Sequence, residues 1–185
     1  MEYKSTFKNS LIYIFGINDM AHLGCLKIGE ATAPDGEFFA PNSKELNEAA
    51  KKRINSYTQT AGIQYVLHHT EMTVYTKDGN IMGFNDKQVH DLLIRSGIKK
   101  KNFDIEGKAN EWFCCDLETA KRAIAAVKNG QQSLDPSQIS LGRSPVNFRP
   151  EQLQAIEKTQ KVLKKGNKML WNAKMRMGKT LTSLE

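Results

Sequence analysis

Near the end of the chain, the run Ala173-Lys174-Met175-Arg176-Met177-Gly178-Lys179-Thr180 fits the phosphate-loop spacing GxxxxGK[ST], with alanine at the first glycine position. In such a loop, backbone N–H groups and the N-terminus of the following helix surround phosphate oxygens, Lys179 reaches the terminal phosphates and Thr180 can ligate Mg²⁺. Gly178, Lys179 and Thr180 are therefore candidate nucleotide-binding residues. A second set of reactive side chains is spread over the first 130 residues: Tyr13, Lys27, Arg53, Asp86, His90 and Glu111. Phosphodiester hydrolysis needs an activated water, a cation to offset charge on the pentacovalent phosphorus, and help for the leaving oxygen. Tyr13 can act as, or orient, a general base once a metal or neighbouring cation lowers its phenol pKa from about 10. Arg53 supplies a planar, permanently charged fork suited to a phosphate, and Lys27 adds a point charge. Asp86 and His90, four residues apart, share one helix face and can meet one site.

Those side chains need elements to carry them. Asn9 to Ile17, NSLIYIFGI, and Cys25 to Glu30, CLKIGE, read as two strands joined by a loop containing Asn18, Asp19 and Gly24. Asn42 to Tyr57 places Leu46, Ala49, Ala50 and Ile54 at helical spacings, with Asn42 or Ser43 as N-cap and a basic exit of Lys51, Lys52 and Arg53. Ile63 to Tyr75 suits one longer strand, followed by a turn at Lys77-Asp78-Gly79-Asn80. Adjacent on that strand, His68 and His69 are expected on opposite faces, unable to serve one site together. Phe84, Val89, Leu92, Leu93 and Ile94 predict a short helix, Glu111 to Cys115 a short strand, and Asp116 caps a helix that stops at Asn129-Gly130. The stretch from Gln131 to Asn147 has no hydrophobic period and reads as a linker; Arg149 to Leu163 is helical in pattern, and Lys168 to Trp171 suits a strand leading into the phosphate loop.

Composition limits the possibilities. The chain has 185 residues, 25% of them charged, with no apolar run long enough to span a bilayer. The net charge of +7 is uneven: residues 1–130 hold 17 basic and 16 acidic side chains, whereas 131–185 hold 10 basic and 4 acidic, or +6. DNA contact by the first part must therefore come from local clusters, for which Lys51, Lys52, Lys99, Lys100 and Lys101 are the candidates. Three cysteines, Cys25, Cys114 and Cys115, make an odd count without CxxC spacing. Neither a disulfide framework nor a thiolate zinc site is expected, and with no signal segment a cytoplasmic location is.

Two resemblances sharpen these expectations. Phe148-Arg149-Pro150-Glu151-Gln152-Leu153-Gln154-Ala155-Ile156, upstream of the phosphate loop, resembles the adenine-contacting segment of superfamily-2 helicases and restriction-enzyme translocases. The resemblance covers about the last forty residues and implies that Gln152 contacts adenine, with ATP and Mg²⁺ as ligands. The chain stops five residues past Thr180, before a second acidic motif, so these residues are expected to be the start of a longer motor protein without ATPase activity of their own.

The first part, with Leu11-Ile12-Tyr13 and Lys27-Ile28-Gly29 on successive strands and Arg53 on the next helix, resembles the GIY-YIG nuclease superfamily, in a divergent branch with LIY and KIG motifs. Arg53 to Tyr57, Phe84 to His90 and Glu111-Trp112-Phe113 extend the match over most of residues 9–128. The resemblance implies that both tripeptides line one face with the arginine and an acidic metal ligand. Here Asp86 stands where the family usually has glutamate, Glu111 is the rival ligand, and Lys27 replaces a second tyrosine. Asp86 is one methylene shorter, so a directly bound Mg²⁺ or Mn²⁺ would shift or be bridged by water. The expected fold is α/β in the α+β sense: a small antiparallel sheet flanked by helices over 1–130, a linker over 131–147, and a truncated phosphate-loop motor over 148–185. The expected function is a metal-dependent DNA endonuclease of a restriction or defence protein, with partner subunits in such a system and no membrane. The alternative is a nuclease-like docking module that has lost hydrolysis.

Overall fold

After its first residue Ser10–Gly16 (β1) is an apolar run, and a strand of that composition needs cover on both faces. In the computed structural model, which describes residues 9–35, 38–101, 103, 111–142, 149–164 and 166, it has that cover. Leu26–Thr32 (β2) and Val66–Met72 (β3) flank it antiparallel, and the two-residue strand Trp112–Phe113 (β6) adds to β2, giving the order β3-β1-β2-β6. On one face lies the helix Lys44–Thr58 (α1), whose Leu46, Ala50 and Ile54 meet Leu11, Tyr13 and Phe15. On the other lie Asp86–Arg95 (α2) and Leu117–Lys128 (α3), which bury Val89, Leu92, Leu93, Ala120 and Ile124 against Ile12, Ile14 and Ile28. Alternation along β1 thus divides its residues between two cores, making a three-layered α+β unit.

The helix starts follow their capping residues. Of the two candidates for α1, Ser43 is the cap, its Oγ accepting from Leu46 N–H. Asn42 instead ties α1 to β3: its Oδ1 accepts from Thr70 N–H at 2.9 Å and its own N–H donates to Thr70 O at 2.8 Å. Asn85 caps α2 in a reciprocal box with Gln88, and Asp116 caps α3 as expected.

Three sequence expectations change. The single strand over Ile63 to Tyr75 is two: β3 ends at Met72, and Val74–Lys77 (β4) pairs with Asn80–Gly83 (β5) in a separate hairpin. Its turn residues Asp78 and Gly79 both have positive φ, the conformation that suits an Asp-Gly hairpin turn. A register shift between Ile14 and Phe15 leaves His68 as an extra residue opposite β1, so simple alternation does not govern His68 and His69. Finally, the segment after Gly130 is not bare linker. Leu134 is buried in the α2–α3 core, Pro136–Gln138 forms a 3₁₀ turn, and the chain divides into compact units at 1–144 and 145–185.

Beneath α3, Glu71 accepts from Lys128 Nζ at 2.7 Å and lies 3.9 Å from His69 Nε2. Burial opposes its ionisation, but the hydrogen bonds and charge of His69 and Lys128 prevail and hold its pKa below the ordinary 4.5. A depressed carboxylate pKa contributes stability above its unfolded value, lost as pH falls through the folded one. Lys128→Met is expected to cost about 2–3 kcal/mol at neutral pH, because it strands a buried charge. Urea unfolding above and below pH 4.5 checks this: the variant's deficit should shrink on the acid side.

In the second unit, Pro150–Leu163 (α4) starts with proline at its first position. Gln152 Oε1 accepts from Arg149 N–H at 2.8 Å, closing the first turn.

Candidate active site

Tyr13 sits at the centre of β1 directly opposite Gly29 of β2. A Cβ at position 29 would lie 2.6 Å from the Tyr13 hydroxyl oxygen and 2.8 Å from Cζ, so the phenol ring lies across the glycine. Gly29 is thus required for close approach rather than for a special backbone angle. The ring crosses β2 towards the strand's outer edge, where β6 pairs only with Leu26 and Lys27. Its hydroxyl stands 3.4 Å from that of Tyr57.

Tyr57 lies one turn after Arg53 on α1, and the two share a helix face. The Lys27 ammonium is 4.8 Å from the centre of the Tyr57 ring and the Arg53 guanidinium carbon 5.9 Å, so two cations face one aromatic ring. Lys27 also pairs with Glu111 at 3.3 Å. Phe15, fully buried, contacts the rings of Tyr13, Tyr57, Tyr65 and Trp112, fixing the tyrosines from below.

Asp86 and Glu30 meet where α2 starts over β2. Asp86, the first residue of α2, donates its N–H to Glu30 Oε2 at 3.3 Å. Burial raises its pKa, the His90 side chain opposes this, and Glu30 and Glu111 reinforce it. Tyr13 responds to the same groups: burial raises its pKa, Tyr57 and Arg53 lower it, and Glu111 and Asp86 raise it. Tyr13, Lys27 and Arg53 therefore gather about Tyr57, with Glu111 on Lys27, while Asp86, beside Glu30, reaches Tyr13 only through its charge; Tyr57 and Glu30 had no role in the sequence reading.

The net shift of Tyr13 is upward, so the phenol is protonated at neutral pH. Burial outweighs the pull of Arg53, and Lys27 is paired with Glu111, so activation of Tyr13 as a base falls to a bound metal rather than to these two cations. A protonated phenol can donate and accept a hydrogen bond, which suits orienting a water. His90 also differs from a free acid or base. Its Nε2 lies 2.9 Å from Ile28 O, so that nitrogen must donate, and the ring is buried against Phe113. His90 fastens α2 to β2 and thereby places Asp86.

Lys51 and Lys52 stand on the exposed surface of α1 beside Arg53. The run Lys99 to Lys101 is tied along β6: Cys114 N–H donates to Lys99 O, Lys101 N–H donates to Trp112 O, and the Lys100 ammonium lies 5.7 Å from the Phe113 ring. Arg53 borders a groove of about 450 Å³ lined by Asn9, Ser10, Glu30, Ala31 and Thr32. Among the described residues, no three His, Cys, Asp or Glu side chains are grouped closely enough to hold a metal by themselves. Gly178, Lys179 and Thr180 lie outside the described residues, and the carboxamide oxygen of Gln152 is engaged at Arg149. No helix among the described residues is long and apolar enough to cross a membrane. No protein-family model, curated protein or solved structure matches this chain.

Proposed function

We propose that the first unit is a metal-dependent nuclease domain, similar in plan to GIY-YIG nucleases, that hydrolyses phosphodiester bonds in DNA and is followed in sequence by a nucleotide-binding motor unit. The observation that carries this reading is the meeting of Tyr13, Tyr57, Arg53 and Lys27, with Asp86 and Glu111 near enough to perturb Tyr13. The motor reading rests on the phosphate-loop pattern at 173–180 and the segment around Gln152, with ATP, and partners from a restriction or defence system, following from the same resemblance.

The donor chemistry fits Mg²⁺ or Mn²⁺. Asp86 is the first ligand, with Glu30 and Glu111 near enough for their charges to act on it, and Mg²⁺ commonly takes one or two carboxylates while keeping several waters. When bound, the ion would offset charge on the phosphate and acidify a water. The side chains supply the rest. Arg53 grips non-bridging phosphate oxygens from the groove, and Lys27, held between Glu111 and Tyr57, adds positive charge towards the leaving group. In the Tyr13–Tyr57 pair one hydroxyl donates to the other, leaving one O–H to orient the attacking water.

The docking module has one observation in its favour: among the described residues no three His, Cys, Asp or Glu side chains are grouped to hold a metal by themselves. Supercoiled plasmid with Mg²⁺ or Mn²⁺ separates the readings. The nuclease reading expects nicking, lowered roughly 10²-fold by Tyr13→Phe and further by Asp86→Asn, both variants keeping the wild-type circular dichroism. Salt-sensitive plasmid binding without nicking in either metal would favour docking.

A further inference from the structure

One ladder position beyond the β2–β6 pairs, Cys25 and Cys114 face each other with sulfurs 2.8 Å apart, although 89 residues separate them in sequence. Both are free thiols. The register explains the meeting: Leu26 pairs with Phe113 and Lys27 with Trp112, and continuing it places Cys25 opposite Cys114. Ile28 N–H donates to Glu111 O, so alternation makes 27/112 and 25/114 the non-hydrogen-bonded positions. Cα atoms at such positions are typically about 4.5 Å apart, within the span a disulfide bridges.

We infer that Cys25 and Cys114 form a redox modification site, a cross-strand dithiol that low-molecular-weight disulfides such as oxidised glutathione convert to a disulfide. Cys114 is the more exposed partner, and its thiolate attacks one sulfur of the reagent, releasing one glutathione thiolate and leaving a mixed disulfide. The Cys25 thiolate then attacks Cys114 Sγ, releasing the second; two protein protons go to the two thiols. Burial and the neighbouring Cys114 thiol push Cys25 up to about 12, consistent with its acting second; Lys101 opposes this shift. Cys115 does not compete: it is 1% exposed and packed in the α2–α3 core, whereas Cys25 and Cys114 belong with the α1 side. The bridge would fasten β6 to β2 next to the Lys27–Glu111 pair.

The test uses the whole chain and makes no use of DNA, so it is independent of the nuclease reading. The native protein is incubated with oxidised glutathione, quenched with an alkylating reagent, and mapped without reduction. The expected product links the Cys25 peptide to the peptide holding Cys114, forms unchanged in Cys115→Ser, and is absent in Cys114→Ser. Cys25→Ser should instead keep glutathione on Cys114. Thermal unfolding of the oxidised wild type should shift upward by several degrees and return on reduction. A persistent Cys114–glutathione adduct in the wild type, a bridge through Cys115, unreacted thiols, or an unfolding temperature that falls on oxidation would each overturn the inference.

Discussion

Arg53→Ala is expected to lower plasmid nicking by about 10³-fold, the range seen when one preorganised charge donor is removed from a reaction centre. Arg53→Lys should recover only a small part of this, because an ammonium cannot make the forked contact to two phosphate oxygens. The side chain is exposed, so the thermal transition should stay within about 0.5 kcal/mol of wild type. DNA affinity should fall only modestly, since Lys51 and Lys52 remain beside the site, and the salt slope should drop by about one. Nicking time courses in Mg²⁺ and Mn²⁺, with filter binding at several salt concentrations, separate the two effects. An Arg53→Ala protein that nicks normally would sink the assignment of the site.

The second large effect needs only a methyl group. Gly29→Ala puts a carbon 2.6 Å from the Tyr13 hydroxyl oxygen and 2.8 Å from Cζ, so either the ring or the strand must move. Tyr13 is 2% exposed, with Phe15 beside it and Ile54 in the same core, and has little freedom to yield. Overpacking of this kind costs about 1–3 kcal/mol. Nicking should fall at least as far as in Tyr13→Phe, since the hydroxyl leaves Tyr57. In the double variant Gly29→Ala with Tyr13→Phe, nicking should be no lower than in the worse single, because both changes disable the same hydroxyl. Additive losses would mean that Gly29 acts in some way other than by admitting the Tyr13 ring.

The reach of the sequence can be judged from these same residues. Tyr13, Lys27 and Arg53 stand on elements whose periodicity is plain: a fully apolar central strand, a short second strand, and a helix with a Leu46, Ala50, Ile54 stripe. Their convergence followed once those elements were assigned. Tyr57 was within reach, because its spacing of four from Arg53 places both on one helix face, yet a half-buried tyrosine near a helix end has many ordinary uses. Glu30 was harder. Alternation puts it on the opposite face of β2 from Lys27, the face that α2 covers, and only the packing of α2 brings it to Asp86. The raised pKa of Tyr13 was not legible, since burial by Phe15 and its neighbours is a sum over long-range contacts. Likewise, the break at Thr73 and the extra residue at His68 leave no local signal. Thr73 fits a strand, and its hydroxyl and N–H both donate to Ser10 O, a partner 63 residues away.

The two-residue β6 gives the site an uneven mechanical character. Tyr13 belongs to a strand paired on both sides and buried on both faces, so its amide is expected to open only with the whole unit, whereas Glu111, among the described residues, is held by its carbonyl's bond to Ile28 N–H, the two residue pairs of β6 and the short run at Lys99 to Lys101. Local opening of so brief an edge needs far less free energy than global unfolding. The wall carrying Glu111 can therefore part and re-form while the tyrosines stay in place. On the nuclease reading, a polymer chain with no free end to thread through a closed pocket is then admitted sideways at the sheet's edge.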